Sequence, residues 1–319
     1  MRRLTLSAVL TVFTLTGIGF AFLNGSVHLT VSEVWQALLG NGSEVHRQIV
    51  QELRAPRVFA GFACGGLLAI AGTLLQVLLR NALADPYILG ISGGASVAAL
   101  CALSLGLPAV GANLGALLGA VLAIFLISGV ALRGGWNTDR VLLAGVVLSA
   151  GFSAIVSLFL IIAPAAQLHG MLFWLMGDLS RVISAAPVLM VFIIVAGLAM
   201  LLGHMLDVLS LGEIKAASLG LNAKAAQYIV FILAAVATTA VVVTAGPIGF
   251  VGLLMPHVIR LLGVTQYRPL IILSAIAGGG FLVWADLLAR SAVAPLQLPV
   301  GAVTALLGVP LLFCLLVRR

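Results

Sequence analysis

The chain has 319 residues, 62% of them hydrophobic and 8% charged, with a formal net charge of +7. Soluble domains carry roughly a quarter charged residues, so this composition, with a mean hydropathy of +1.26, excludes an ordinary soluble protein. The apolar residues come in runs near membrane-spanning length, which predicts a polytopic all-α membrane protein; a β-barrel would show short alternating segments instead.

The basic residues are scattered and no Lys/Arg run is interleaved with aromatics, so no nucleic-acid partner is expected. Cys64, Cys101 and Cys314 sit in apolar stretches without CxxC spacing, and the five histidines are dispersed. Neither a disulfide nor a metal site is indicated, and no cofactor or catalytic group is expected.

In chain order, Arg2 and Arg3 precede an apolar run at 4–23. The run is long for a signal-peptide core and no A-x-A cleavage site follows, so it reads as a first membrane helix with its N-terminus inside. A polar segment at 24–53 follows outside, with an amphipathic helix expected around 31–39. Further runs lie at 58–79, 91–107, 110–132, 141–163, 187–206, 228–244, 250–264, 270–289 and 300–317. Ten crossings return the C-terminus to the starting side. The positive-inside rule tests this topology. Arg2, Arg3, Arg80, Arg133, Arg140, Lys215, Lys224, Arg260, Arg268, Arg318 and Arg319 fall inside, whereas Arg47, Arg54, Arg57, Arg181 and Arg290 fall outside. The excess supports N-in, C-in. The chain reads as a single transmembrane domain, 1–319, in a bilayer.

Gly61/Gly65 and Gly111/Gly115/Gly119 repeat at four-residue steps, the spacing that lets helix backbones approach. Gly90, Gly93 and Gly94, after Asp85 and Pro86, predict an irregular start to the third helix. A Gly/Pro-rich passage at 245–252 predicts another break. Broken helices at membrane depth occur where backbone is buried or lines a cavity. Ser149, Ser153 and Ser157 form a small polar stripe on the fifth helix, which suits either packing or the lining of a pathway.

The inside loop at 207–227 holds both lysines, Lys215 and Lys224. Gly212 and Gly220 bracket a predicted helix of two turns, with Glu213 at its start, and Gly220 and Asn222 suit a turn. Ile214, Ala217, Leu219 and Leu221 give the loop an apolar face that a cytoplasmic partner would bury. Glu33, Glu44, Glu52, Asp85, Asp139, Asp178, Asp207, Glu213 and Asp286 all fall in loops or near helix ends. Asp286 stands one helical turn before Arg290 and can pair with it. No carboxylate is left for a proton relay, which disfavours a secondary, ion-coupled carrier. Neither lysine sits in a P-loop pattern. A chain without a motor and with an apolar cytoplasmic loop predicts a separate ATPase docked there.

Several stretches carry a family resemblance: Leu-Arg-Ala-Pro-Arg at 53–57, Arg-Asn-Ala-Leu-Ala-Asp-Pro at 80–86, Leu-Gly-Ile-Ser-Gly at 89–93, Leu-Ala-Gly at 143–145 and Phe-Trp-Leu-Met-Gly at 173–177. Ser-Leu-Gly-Glu at 210–213, Ser-Leu-Gly at 218–220, Ala-Gly-Pro-Ile-Gly-Phe-Val-Gly-Leu at 245–253, Pro-His at 256–257 and Leu-Pro-Val-Gly at 298–301 complete the set. In this order, over nearly the whole chain, they resemble the FecCD-type permeases, the membrane subunits of type II ABC importers for iron-siderophores, haem and vitamin B12. The resemblance implies a BtuC-like homodimer of ten-helix protomers in the cell inner membrane, with two cytoplasmic ATPase subunits and a periplasmic binding protein. It implies that Arg54, Arg57 and Arg290 dock the binding protein, that Asn81 stands at the cytoplasmic gate, and that Gly212, Glu213, Ala217, Leu219 and Gly220 belong to the coupling loop. Departures from the family pattern are Ala82 in place of proline, Gln297 in place of an acid, and Asp178 in place of a small residue.

Overall fold

Every regular element is helical in the computed structural model, which describes residues 2–25, 27–133 and 136–317. Arg318 and Arg319 and the side chains of Arg2 and Arg3, used above to orient the chain, lie outside the described residues. The helices are α1 (Arg2–Leu23), α2 (Val31–Leu38), α3 (Glu44–Arg47), α4 (Ala55–Leu78), α5 (Ile91–Ser104), α6 (Ala109–Leu132), α7 (Thr138–Ile162) and α8 (Ala165–Leu175). They continue with α9 (Ala186–Leu201), α10 (Gly203–Leu209), α11 (Glu213–Ser218), α12 (Ala223–Ala245), α13 (Val251–Leu261), α14 (Tyr267–Ser291) and α15 (Val300–Val317). A π-helical stretch, Gln48–Arg54, joins α3 to α4, so that Glu44–Leu78 is one continuous 35-residue helix.

Each of the ten apolar runs coincides with a helix, but not each with a full-length span. Six helices among the described residues are long and apolar enough to cross a membrane. α9 and α10 form a pair bent by 56°, and α5, α13 and α15 are shorter apolar helices. The expected amphipathic helix is α2, where the Thr30 hydroxyl accepts from Glu33 N and the Glu33 carboxylate accepts from Thr30 N, a capping box. α8 was not anticipated; its run is too short to read as a span.

α4 is buried along most of its length and forms the axis of the bundle. Small residues make this possible. Gly65 of α4 faces Gly278 of α14 so closely that a Cβ at Gly278 would lie 2.5 Å from the Gly65 carbonyl oxygen. α5 and α6 cross in the same way: a Cβ at Gly94 would lie 2.5 Å from the Gly119 oxygen, and one at Gly115 2.7 Å from the Ala98 oxygen. The four-residue glycine steps therefore serve packing at Gly65, Gly115 and Gly119. Gly61 makes ordinary contact with Leu179, and Gly111 abuts Leu107 of its own preceding turn.

Both irregular passages exist, and they meet. Residues 86–89 form a 3-10 turn, Gly90 turns the chain at φ +71°, and α5 begins at Ile91. Beyond α12 the chain is non-helical from Gly246 to Phe250 before α13 begins. Ile248 N donates to Tyr87 Oη at 2.9 Å, and a Cβ at Gly252 would lie 2.7 Å from Pro86 Cγ and 2.8 Å from the Leu68 oxygen. Non-helical backbone thus lies against the middle of the bundle, where Ala245, Gly246 and Ile248 are buried. Such backbone is tolerated only when protein satisfies its polar groups.

The outer surface is apolar. Phe125 is 72% and Ile161 78% exposed, as suits side chains that meet lipid or another helix. α7 is the extreme case, with almost none of its length buried. Overpacking a glycine crossing costs about 1–3 kcal/mol. Gly278→Val should therefore lower the unfolding temperature of the detergent-solubilised protein, whereas Gly197→Val, with nothing within 4 Å of its position, should leave it unchanged. Equal effects in thermal unfolding would contradict the assignment of Gly278 to a backbone crossing.

Candidate functional site

At one end of the bundle three arginines meet. Arg57, in the first turn of α4, donates from Nε to both Asp286 oxygens at 2.9 and 3.0 Å, and its Nη2 lies 2.9 Å from Oδ1. Its Nη1 donates to Gln297 Oε1 at 2.9 Å. Arg290 Nη2 donates to the Ala21 carbonyl oxygen at 2.7 Å, and its Nε stands 3.7 Å from Asp286 Oδ2. Arg54 donates to the carbonyl oxygens of Phe22 and Val27. Ala21 and Phe22 lie in the last turn of α1, whose carbonyls lack helical partners. Two guanidiniums therefore cap α1 from neighbouring elements, and cations at a helix C-terminus also meet its dipole favourably.

The arginines expected at the outer face are thus gathered, and they are bound within the chain. Arg54 is 4% and Arg290 6% exposed, and Asp286 2%. The expected Asp286–Arg290 pair exists, but the closer partner of Asp286 is Arg57, 229 residues away. Gln297, the departure from the family pattern, fills an acceptor place on Arg57 rather than on Arg290. A cleft of about 190 Å³ opens over the cluster, lined among others by Arg54, Arg57, Ser180, Arg290 and Gln297. Asp178, another departure, closes a local turn: its carboxylate accepts from Ser180 N at 2.7 Å and Ser180 Oγ at 2.6 Å.

At the other end the predicted short helix is α11, six residues rather than two full turns. Gly212, its N-cap, has φ +103°, and Gly220 has φ +83°. These values favour glycine, which explains why these two residues bracket the helix. Ile214 is 88% and Leu219 63% exposed, and Leu211 and Ala217 are exposed beside them. Leu221, expected on this face, packs instead against the core. Lys215 and Lys224 are exposed, and Asn222 caps α12 by accepting from Ala225 N at 3.2 Å. Glu213 Oε1 accepts from Gln227 Nε2 at 2.7 Å and lies 3.9 Å from Arg80 Nη2. Sequence reasoning missed Leu211, Gln227 and Arg80 here, because each joins the site through the fold or lies just outside the glycine bracket.

Asn81 is exposed, and its Oδ1 accepts from Leu83 N at 2.9 Å in a tight local turn. Burial raises the Asp85 carboxyl above its usual range, against the opposing effect of the bond from Tyr87 N. The serine stripe on α7 divides. Ser149 is half-buried, near the point where a Cβ on Gly90 would stand, while Ser153 and Ser157 are exposed and Ser157 Oγ donates to the Ser153 oxygen at 2.9 Å.

Removing one member of a buried ion pair leaves an uncompensated charge and costs about 3–5 kcal/mol. Asp286→Ala should accordingly destabilise the protein strongly in thermal unfolding. Gln297→Glu keeps an acceptor for Arg57 and reduces the excess positive charge, so it should be tolerated.

Comparison with known proteins identifies the family and the fold. The FecCD transport family matches residues 10–318. The vitamin B12 import system permease BtuC of Vibrio cholerae is 39% identical, covering 92% of this chain and 90% of that protein. The Fe(3+) dicitrate transport system permease FecD of Escherichia coli K12 is 35% identical over 98% of both chains. A solved structure reported as an inward-facing conformation of a metal-chelate type ABC transporter superposes with a TM-score of 0.85 at 26% identity, covering 99% of this chain and all of that one. PsaBC from Streptococcus pneumoniae shares the fold, with a TM-score of 0.55 at 17% identity, over 88% of this chain and 93% of that one. With helices able to span a membrane and a family match over nearly its full length, this multi-pass membrane protein belongs to the FecCD transport family.

Proposed function

We propose that the chain is the membrane permease of an ABC importer that moves an iron-siderophore or a related metal chelate, haem or cobalamin, from the periplasm to the cytoplasm across the cell inner membrane. It works as a homodimer with two cytoplasmic ATPase subunits and a periplasmic binding protein. The observation that carries this reading is α11: an apolar helix end, with Ile214, Leu219 and Leu211 uncovered, on a chain whose sequence offers no P-loop. A helix of six residues is not stable alone in water, so a partner's cleft supplies its natural setting. Chelates as cargo follow the relatives, which are named for vitamin B12 and for ferric dicitrate. An ion-coupled carrier is disfavoured because Asp286, the carboxylate buried within α14, is already bound by Arg57.

The cleft over Arg54, Arg57 and Arg290 suits an acidic side chain of the binding protein. Three arginines face one aspartate there, so positive charge is in excess even though each guanidinium is engaged. Charge-assisted contacts to that excess would orient the partner and speed its arrival. Asn81 takes the gate position on the cytoplasmic side. The exposed face of α7, with Ser153 and Ser157, forms an uncharged wall of the pathway between protomers, and Ser149 packs that wall against α5.

Ala217→Asp places a charge on the uncovered face of α11. The variant should insert and dimerise, but the ATPase should no longer co-purify; normal recovery and uptake would move the coupling site elsewhere. In a background without Cys101 and Cys314, Ser153→Cys and Ser157→Cys should react with a water-soluble thiol reagent faster than Ser149→Cys. Complete protection of all three in every nucleotide state would assign the stripe to packing.

A further inference from the structure

Helix α4 ends in an arrangement that the turn alone does not require. Arg80 N donates to the Val77 oxygen at 3.3 Å, and Asn81 N to the Gln76 oxygen at 3.2 Å. This is the Schellman pattern, which places Arg80 at the left-handed position, with φ +48°. Glycine fits that position without cost, and asparagine comes next among the residues that accept it. Arginine does not fit it well, and an asparagine stands one residue further on. A strained residue of this kind persists when its surroundings hold it, and such residues gather at moving parts.

The Arg80 side chain supplies the reason for its presence. Its Nη2 lies 3.9 Å from Glu213 Oε1, the first residue of α11. The same guanidinium borders Gly212: a Cβ there would come within 3.8 Å of Arg80 Cζ and Nη1. The same Glu213 oxygen is gripped by Gln227 Nε2 at 2.7 Å, and Gln227 is buried in α12. One carboxylate therefore ties three pieces together: the end of the central helix, the exposed short helix and the start of α12. Asn81 follows Arg80 directly.

We propose that Arg80 is a positioning residue that transmits displacement of α11 to the 80–86 loop through Glu213, with Gln227 keeping the carboxylate in register. The proposal rests on the reading of α11 as the ATPase contact. Both partners are about half exposed, at 51% and 49% of their side-chain surface. A pair so open to water contributes little to folding, so its loss should spare assembly and show itself in coupling.

The test uses the permease co-purified with its ATPase in lipid nanodiscs. Hydrogen exchange over residues 80–86 is compared without nucleotide and with ATP plus vanadate. In the unmodified complex the exchange rate of this loop should change with nucleotide. Arg80→Ala, outside α11, should retain the ATPase yet reduce the nucleotide-dependent change by about 2- to 5-fold, the coupling expected of a half-exposed pair. In whatever complex Glu213→Gln forms, the change should be reduced at least as far. The exchanged pair, Arg80→Glu with Glu213→Arg, should recover part of the response, which a purely structural role would not produce. Full nucleotide dependence in the single variants would overturn the proposal. So would a double variant no better than the worse single, or a loop in the unmodified complex that does not respond to nucleotide. Failure of the ATPase to co-purify with the unmodified chain would instead refute the reading of α11.

Discussion

The bundle depends on how closely α4 can approach its neighbours. In lipid there is no hydrophobic drive to press one apolar helix on another, so association rests on van der Waals contact and on polar groups that find partners. The Gly65–Gly278 crossing supplies the first and the Arg57–Asp286 pair the second, both between α4 and α14. The pair stands near one end of the α4–α14 contact, in the first turn of α4, and the glycines near the middle. One fixes the depth of contact; the other fixes register and rotation, since a bidentate guanidinium tolerates little misalignment.

The arginine cluster extends this logic to α1. Its last carbonyls would otherwise be unpaired at the edge of the bundle, and Arg54 and Arg290 reach them from two separate elements. Structural anchoring and partner docking are compatible here. A guanidinium has five donors, and the cleft above Arg54, Arg57 and Arg290 leaves space for a further acceptor. The same residues that close this end of the fold would then present its charge.

Much of this was legible in the sequence, for definable reasons. Apolar runs disclose helices because lipid demands them, and Gly212 and Gly220 disclosed the ends of α11 because positive φ favours glycine. The amphipathic period around α2 was equally plain. What stayed hidden depends on distance along the chain. Nothing near Arg57 points to Asp286, and nothing near Arg54 points to the carbonyls of α1. The stretch from Gly246 to Phe250 was flagged as irregular, but its seat against Tyr87 requires the fold. Run lengths in turn overstated α5 and α13, because apolar residues continue past the helix ends, at Leu105 and Leu107 and at Leu262 and Val264.

The continuous helix from Glu44 to Leu78 has a mechanical consequence. At 1.5 Å per residue its 35 residues extend about 50 Å, well beyond the roughly 30 Å of a hydrocarbon core. Gly65, where α14 crosses most closely, lies near its middle. A stiff rod gripped along its length, as α4 is, passes a displacement of its arginine end to the helices packed around it and on to Leu78 and the residues that follow. The π-helical turns at Gln48–Arg54 sit at the arginine end, and π-bulges are among the places where long helices kink. A load applied beyond that joint is partly absorbed by it, whereas a load applied at Arg57 acts on α4 directly.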